Sequence, residues 1–437
     1  MILLIAMDTY YNFRFFSMRD EEGKNRVCGR QLVCMFMLHF LANILIWLNT
    51  ESVTMLAFYG AQVVFFLLYI YLTRLFYRNS SRLLVNNMCT LLATGFIILT
   101  RLNPDRAMRQ FVIVAVITWI IPLIIDRVWQ LVTFPWVYGI LGLVLLGVVC
   151  VIGNTSYGAQ LSLSFGGFTV QPSEFVKIGL IIFFSWYLSR YQERINEFKI
   201  LFFAGLLFLA AFGLIFLQPN LSTSLVTMVI FLCMLFTAGL SYRWILGALA
   251  VVVPCGALFI YLLQYNMVPF LKDYQVRRIM AFIDPANYAE ANLQQNNSIM
   301  AIGSGMLQGK GLNNNTLASV KNGNFLSEEQ TDFIFAVIGE ELGFIGCIAV
   351  IFLIALTVYE CLIMAARAKD LMGSLLCVGL ASLLAFQSFA NIAVATGILP
   401  NTGLPLPFIS YGVSSLLSVY LGVGVVMNVG LQRKVSN

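Results

Sequence analysis

The chain is poor in the side chains on which many soluble enzymes depend. Histidine occurs once in 437 residues, at His39, so histidine-based proton transfer and zinc ligation have almost no material. Charged residues make up only 11%, against about 25% in an ordinary soluble domain, and a water-soluble fold is excluded. Nine cysteines are present without a Cys-x-x-Cys pair, and they fall almost entirely in or beside apolar runs. They read as small buried hydrophobes rather than disulfides or a metal cluster. Apolar residues do not alternate with polar ones in the long runs, which argues against a transmembrane β-barrel. Met1–Met7 is apolar but too short for a cleavable signal. Low-complexity tracts, internal repeats and a second soluble domain are not evident.

What the chain does have is hydrocarbon. Hydrophobic residues reach 60% and mean hydropathy is +0.86. Repeated continuous runs of about 17–25 residues define an all-α polytopic membrane protein. Twelve spans are expected, at roughly 31–50, 54–73, 83–101, 109–125, 132–152, 173–190, 199–217, 221–240, 243–263, 333–365, 372–396 and 412–430. Residues 1–30 read as a cytoplasmic segment and 431–437 as a cytoplasmic tail, since an even span count puts both termini on one side. The basic residues agree. Arg74, Arg78, Arg82, Arg127, Arg190, Arg194, Lys199, Arg243, Arg367 and Lys369 all fall on that side, whereas the loops at 153–172, 218–220 and 397–411 have neither Lys nor Arg. The net charge of +6 therefore reports orientation and does not imply nucleic acid. Arg101, Arg106 and Arg109, at a short outer turn, depart from the rule. They either snorkel or serve an anion.

The polar residues concentrate in a loop at about 264–332 and the helix that follows it. A loop this long is usually functional, and this one reads as an ordered outer-surface element. Arg277 and Arg278 precede Asp284-Pro285, and Lys310 stands between Gly309 and Gly311. Guanidinium forks suit phosphate, and glycines let backbone N–H groups approach an anion. Asp284 is the clearest candidate for a general base, with a helix cap or ion pair as the structural alternative; Glu290 is weaker. Thr331-Asp332, Glu340 and Glu341 enter the tenth span. A helix dipole accounts for Asp332, while Glu340 and Glu341 need a partner such as Lys177 or an arginine, or a divalent cation.

Two further motifs lie at membrane depth. Gln171-Pro172-Ser173-Glu174-Phe175-Val176-Lys177 opens the sixth span and puts an acid and a base three residues apart on one helix face. Each ionised group costs about 2.5–3.5 kcal/mol in lipid, so both must face protein or a wet cavity. Thr396–Gly412, with three prolines and the glycines Gly397, Gly403 and Gly412, cannot be regular helix. Irregular backbone at that depth lines a cavity or is buried in protein, and Ser410 belongs to this element. Gln218-Pro219-Asn220-Leu221-Ser222-Thr223-Ser224 reads mainly as a helix restart.

Together QPSEFVK at 171–177, QPNLSTS at 218–224, AIGSG at 301–305, GKG at 309–311, QTDFIFAVIGEELGFIG at 330–346 and LPNTGLPLPFISYG at 399–412 resemble the SEDS (shape, elongation, division and sporulation) family, the FtsW/RodA/SpoVE group. The resemblance covers about 83–430 as a ten-span core, with two additional spans within 31–82. It implies a peptidoglycan glycosyltransferase that polymerises lipid II on the outer face of the bacterial cytoplasmic membrane. A class B penicillin-binding protein would be its partner, and membrane lipids its surroundings. It also implies Asp284 as base, Arg277, Arg278 and Lys310 as diphosphate-binding residues, and Glu174 with Lys177 as the family's functional pair. Gln171, Asp332, Glu340, Glu341 and Ser410 complete the expected cavity. No metal ligand is assigned, although a magnesium or manganese ion is compatible with the outer acids. A precursor flippase and a catalytically weak scaffold are the alternative readings. Two positions depart from the family pattern: Tyr288 stands where a second loop acid is common, and Val413 where a glycine is usual.

Overall fold

The computed structural model describes residues 2–78, 80–125, 134–156, 159–165, 168–218, 220–264, 273–284, 287–312, 319–323 and 325–432. Each expected apolar run coincides with a helix. These are α2 (Glu21–Thr50), α3 (Val53–Phe76), α4 (Arg82–Leu102), α5 (Pro104–Ile125), α6 (Pro135–Ile152), α7 (Pro172–Arg190), α8 (Phe198–Leu217), α9 (Leu221–Thr237) and α10 (Tyr242–Gln264), followed after the long loop by Ile334–Ala366, Leu371–Ala395 and Val413–Leu431. Eight of the described helices are long and apolar enough to cross a membrane; Pro135–Val151 and Leu221–Thr237 are shorter apolar helices. Local chemistry fixes the ends. Asp20 accepts from Gly23 N (2.6 Å) at the start of α2, Ser81 accepts from Leu84 N (3.3 Å) at α4, and Pro135 and Pro172 occupy first turns that need no N–H.

Two elements add to the expected layout. Ile2–Ser17 forms α1, which packs on α2 and on Ile334–Ala366, with Phe13 against Phe352 (ring centroids 5.6 Å) and Phe16 against Tyr359 (4.9 Å). Its Leu4 and Ile5 line one cavity with Leu342, Gly346 and Val350, so α1 runs parallel to that helix. Its buried positions are polar and satisfy one another, Asn12 Nδ2 donating to Asp8 Oδ2 (3.3 Å). The second addition is a small β-element on the all-α bundle. The segment after α6 carries three short antiparallel strands in the order β1 (Asn154–Ser156), β2 (Ala159–Phe165), β3 (Phe168–Val170), with Leu163 opposite Val170. The alternation in Gln160-Leu161-Ser162-Leu163-Ser164-Phe165 has the two-residue period of a strand.

The long loop contributes α11 (Asp273–Ile283), α12 (Ala289–Ser304) and the short turn α13 (Val320–Gly323) before α14 (Ile334–Ala366), α15 (Leu371–Ala395) and α16 (Val413–Leu431). Helix α15 is the hub, packing against α7, α9, α12, α14 and α16. Around it Leu375, Leu383, Leu384, Phe184, Val226 and Val426 form part of one continuous core. His39 is buried and hydrogen-bonds Gln62 Oε1 through Nε2 (2.7 Å). All nine cysteines are free thiols, six of them buried.

Candidate functional site

The acid and base of the sixth span meet. Pro172 at the head of α7 starts the helix so that Glu174 and Lys177 share the face turned toward α15 and α16. Lys177 Nζ lies 2.9 Å from Glu174 Oε1 and donates to Gln387 Oε1 (3.1 Å). Gln387 Nε2 in turn donates to the Pro405 carbonyl (3.0 Å) and to Ser415 Oγ (3.1 Å), and Ser418 Oγ reaches Glu174 Oε2 at 3.5 Å. Gln171 N donates to Ser414 Oγ (3.0 Å). Lys177 is 0% exposed and Glu174 2%, so the pair holds the irregular 399–412 segment from behind. It is not open to direct contact with a ligand in this conformation, and its effect on a site is through the wall it braces.

A second polar cluster forms where α14 breaks. Gly343 has φ 68° and ψ −167° inside the helix, values only glycine adopts readily. The carbonyls released by the break do not stay unpaired. Lys310 N donates to Glu340 O (2.8 Å) and Gly311 N to Glu341 O (2.9 Å). Beyond the break, Phe344 N donates to Met306 O (2.9 Å) and Ile345 N to Leu307 O (3.3 Å). Residues 306–311 thus bridge both halves of the helix. A Cβ at Gly305 would overlap Gly339 O, and one at Gly309 would overlap Glu341 O, which explains the glycines of AIGSG and GKG as sites of close approach.

The same splice orders the acids. Glu340 Oε1 lies 2.7 Å from Lys310 Nζ, while its Oε2 accepts from Val320 N (2.9 Å). Glu341 Oε1 lies 3.4 Å from Arg101 Nε, with both side chains at most 5% exposed. The partners expected for these acids are therefore Lys310 and Arg101 rather than Lys177. Lys310, assigned to diphosphate, is engaged with Glu340 and retains 26% exposure of its side chain. Arg101 is a structural partner and not a snorkelling residue. Lys321 stands near Arg101 and Glu341, and burial followed by the Arg101 charge pushes its ammonium below the usual lysine range.

The irregular segment after α15 is clipped to the entry of α14. Ser410 Oγ donates to Thr331 O (2.6 Å) and accepts from Leu406 N (2.8 Å); Tyr411 N donates to Gln330 O (2.8 Å). Asn391 Nδ2 donates to Asp332 O (2.9 Å) and Leu404 O (2.6 Å), and Asp332 itself stands beside Gly403. Gln110 adds bonds to Ser410 O and Gly412 N, both at 3.2 Å. Arg106 lies over the Tyr411 ring, 5.7 Å from its centroid. Ser222 donates to Thr402 O, and Asn220 caps α9 through Thr223 N (3.2 Å). Burial raises the Glu329 carboxyl above the usual range at this rim.

Asp284 follows α11. Its N–H donates to Met280 O (2.7 Å), and Oδ2 accepts from Asn287 Nδ2 (2.6 Å). The residue is partly exposed, Arg277 is exposed on the helix before it, and neither forms an ion pair among the described residues. The side chains of Arg278 and Glu290 lie outside the described residues, as does Pro285. Tyr288 is the residue at the head of α12. The loop is fastened to the core by α12: Gln295 Nε2 donates to Val394 O (2.9 Å) and Leu399 O (2.6 Å), and Ser298 Oγ to Ala395 O (2.8 Å). Among the described residues, no three His, Cys, Asp or Glu gather as a metal site. Gln387, Gln295 and Gln110 were missed from the sequence. Amides inside apolar helices were the available signal, because such a group must find partners.

This is a helical membrane protein whose ionic groups sit at broken helices and beneath a polar loop. The chain belongs to the FtsW/RodA/SpoVE family: that family, described as cell cycle protein, matches residues 97–435. It is 36% identical over 310 residues to a probable peptidoglycan glycosyltransferase FtsW of Geobacter sp. (strain M18), covering 70% of this chain and 81% of the relative. Peptidoglycan glycosyltransferase MrdB of Escherichia coli (strain K12) is 36% identical over 306 residues, covering 69% and 78%. A chain from a structure described as coordinating polymerization and crosslinking in a peptidoglycan synthase complex superposes with TM-score 0.65 at 27% identity, covering 82% of this chain and 99% of that one. The crystal structure of Thermus thermophilus RodA gives TM-score 0.59 at 25% identity, covering 82% and 98%.

Proposed function

We propose that this protein is a peptidoglycan glycosyltransferase that polymerises lipid II at the outer face of the cytoplasmic membrane. Family membership and the glycosyltransferase relatives support the activity. The observation that carries the chemistry is the partly exposed Asp284 carboxylate, oriented by Asn287 on a loop that α12 fastens to the bundle. A sugar hydroxyl of one lipid II attacks the anomeric carbon of another. The new glycosidic C–O bond forms as the bond to the diphosphate breaks, undecaprenyl diphosphate leaves with the electron pair, and configuration inverts. Asp284 takes the hydroxyl proton. Arg277 and Arg278 stabilise the departing diphosphate, and Lys310 adds to their field from its pair with Glu340. Glu174 and Lys177 keep the cavity wall in shape.

In this reading all twelve long apolar helices span the membrane, with the turn between α1 and α2 and the C-terminus cytoplasmic and the loop at 264–332 outside. Residues 83–430 form the catalytic core, and the two spans within 31–82 precede it. The partner is a class B penicillin-binding protein, a choice supported by the synthase complex whose chain this one resembles. The test is purified protein with lipid II, with and without the partner synthase. Glycan chains that disappear with Asp284→Ala are expected. Labelled lipid crossing vesicles without polymer formation would overturn the assignment, as would undiminished polymer from the variant.

A further inference from the structure

The far end of the bundle holds a basic cleft that the polymerisation chemistry does not use. Glu340 and Glu341 mark one end of α14. Near its other end Glu360 accepts a hydrogen bond from Ser81 Oγ (2.6 Å), the residue that caps α4. Around this junction Arg74, at the end of α3, Arg78, in the turn, and Arg82, at the start of α4, line one cleft with Thr73, Ser80 and Asn86. None of the three guanidiniums is in an ion pair among the described residues. The neutral groups of the cleft already have acceptors: Thr73 Oγ1 donates to Tyr69 O (2.9 Å), Ser80 Oγ to Tyr77 O (2.8 Å) and Asn86 Nδ2 to Cys28 O (3.0 Å). The charged donors lining the cleft are the three guanidinium groups. Arg74 and Arg82 are also close enough to repel one another.

We propose that this cleft binds a phosphate group, with Arg74, Arg78 and Arg82 as its ligands. Like charges brought together across a helix turn are relieved by an anion, and the planar guanidinium fork matches two phosphate oxygens at once. Basic clefts between membrane helices are suited to anionic lipid head groups. The same chemistry would accept free phosphate. The cleft lies before residue 97, where the family match begins, and so belongs to the N-terminal part of this chain.

Native mass spectrometry of the purified protein titrated with phosphatidylglycerol, and separately with inorganic phosphate, tests the site. Each arginine near a charged surface contributes about a fivefold effect on affinity. The variant carrying Arg74→Gln, Arg78→Gln and Arg82→Gln should therefore retain on the order of a hundredfold less phosphatidylglycerol than the parent. Arg243→Gln, which also removes a basic side chain from an exposed position, should retain as much lipid as the parent. Arg82→Lys keeps the charge but not the fork and should give a partial loss. If the triple variant does not fold, Arg78→Gln alone carries the comparison, since Arg78 is exposed. Binding of inorganic phosphate with the same dependence on the three arginines would identify free phosphate as the ligand. Equal losses in Arg243→Gln, or undiminished lipid retention in the triple variant, would overturn the proposal.

Discussion

Lys177 is the residue whose removal should be felt most, and the structure says by how much. Its ammonium holds Glu174 at 2.9 Å and Gln387 at 3.1 Å with no exposure to solvent. Lys177→Met keeps much of the volume but leaves the Glu174 carboxylate buried without its cation. Breaking one side of a buried pair costs about 3–5 kcal/mol, a factor of at least 10² in the folding equilibrium at about 1.4 kcal/mol per decade. Removing both charges, with Glu174→Leu and Lys177→Met together, should recover most of that loss, because hydrophobic replacement of a whole buried pair is often neutral. Reversible unfolding in detergent, followed by fluorescence of Trp186 on the same helix, measures both variants. A single variant that loses less than about 1 kcal/mol would refute the argument, and so would a double variant no more stable than the single one. Polymerisation gives an independent reading. Lys177→Ala should abolish it in protein still folded in membranes, because Gln387 would no longer be held against the Pro405 carbonyl.

Four other outcomes follow from the geometry. Asp284→Asn should lower polymerisation by about 10²–10⁴-fold and leave unfolding nearly unchanged, since the side chain makes one hydrogen bond at a partly exposed position; comparable losses in both measurements would contradict a chemical role. Gly309→Ala should destabilise the protein by about 1–3 kcal/mol, from a φ of 79° and overlap with Glu341 O, read by the same unfolding assay. Ser410→Ala should cost about 1–3 kcal/mol, because Leu406 N–H is left buried without its acceptor. Asn296→Cys, at an exposed position on α12, should react with a membrane-impermeant maleimide from outside the cell; modification only from the cytoplasmic side would reverse the proposed orientation.

The helices were legible because each apolar run had to be long enough for a bilayer and its caps stood in the sequence. Span ends differ from the observed helix ends by only a few residues, apart from α2 and α5, whose charged first turns hid their starts. Glu174 and Lys177 could be paired from their spacing alone, because a three-residue interval is a local property of one helix. Gln387 could not, since it lies 210 residues away and only tertiary packing brings it there. The pairing of Lys310 was hidden for the same reason: its glycine neighbours suggested an anion cradle, whereas its partner within the chain is Glu340, exposed to it by a break at Gly343 that sequence does not announce. Nor was α1 visible, because it is shorter than a span and its buried positions are the polar Asp8 and Asn12. The strand period in 160–165 was present but overlooked within a loop judged by its missing charges.

The break in α14 has a mechanical consequence. A rod cut across and pinned by a separate length of chain acts as two levers on a shared axle, and residues 306–311 are that pin. Any displacement of that pin loads the hydrogen bonds on both sides of the cut, and the longer lever bears directly on α1 and α4.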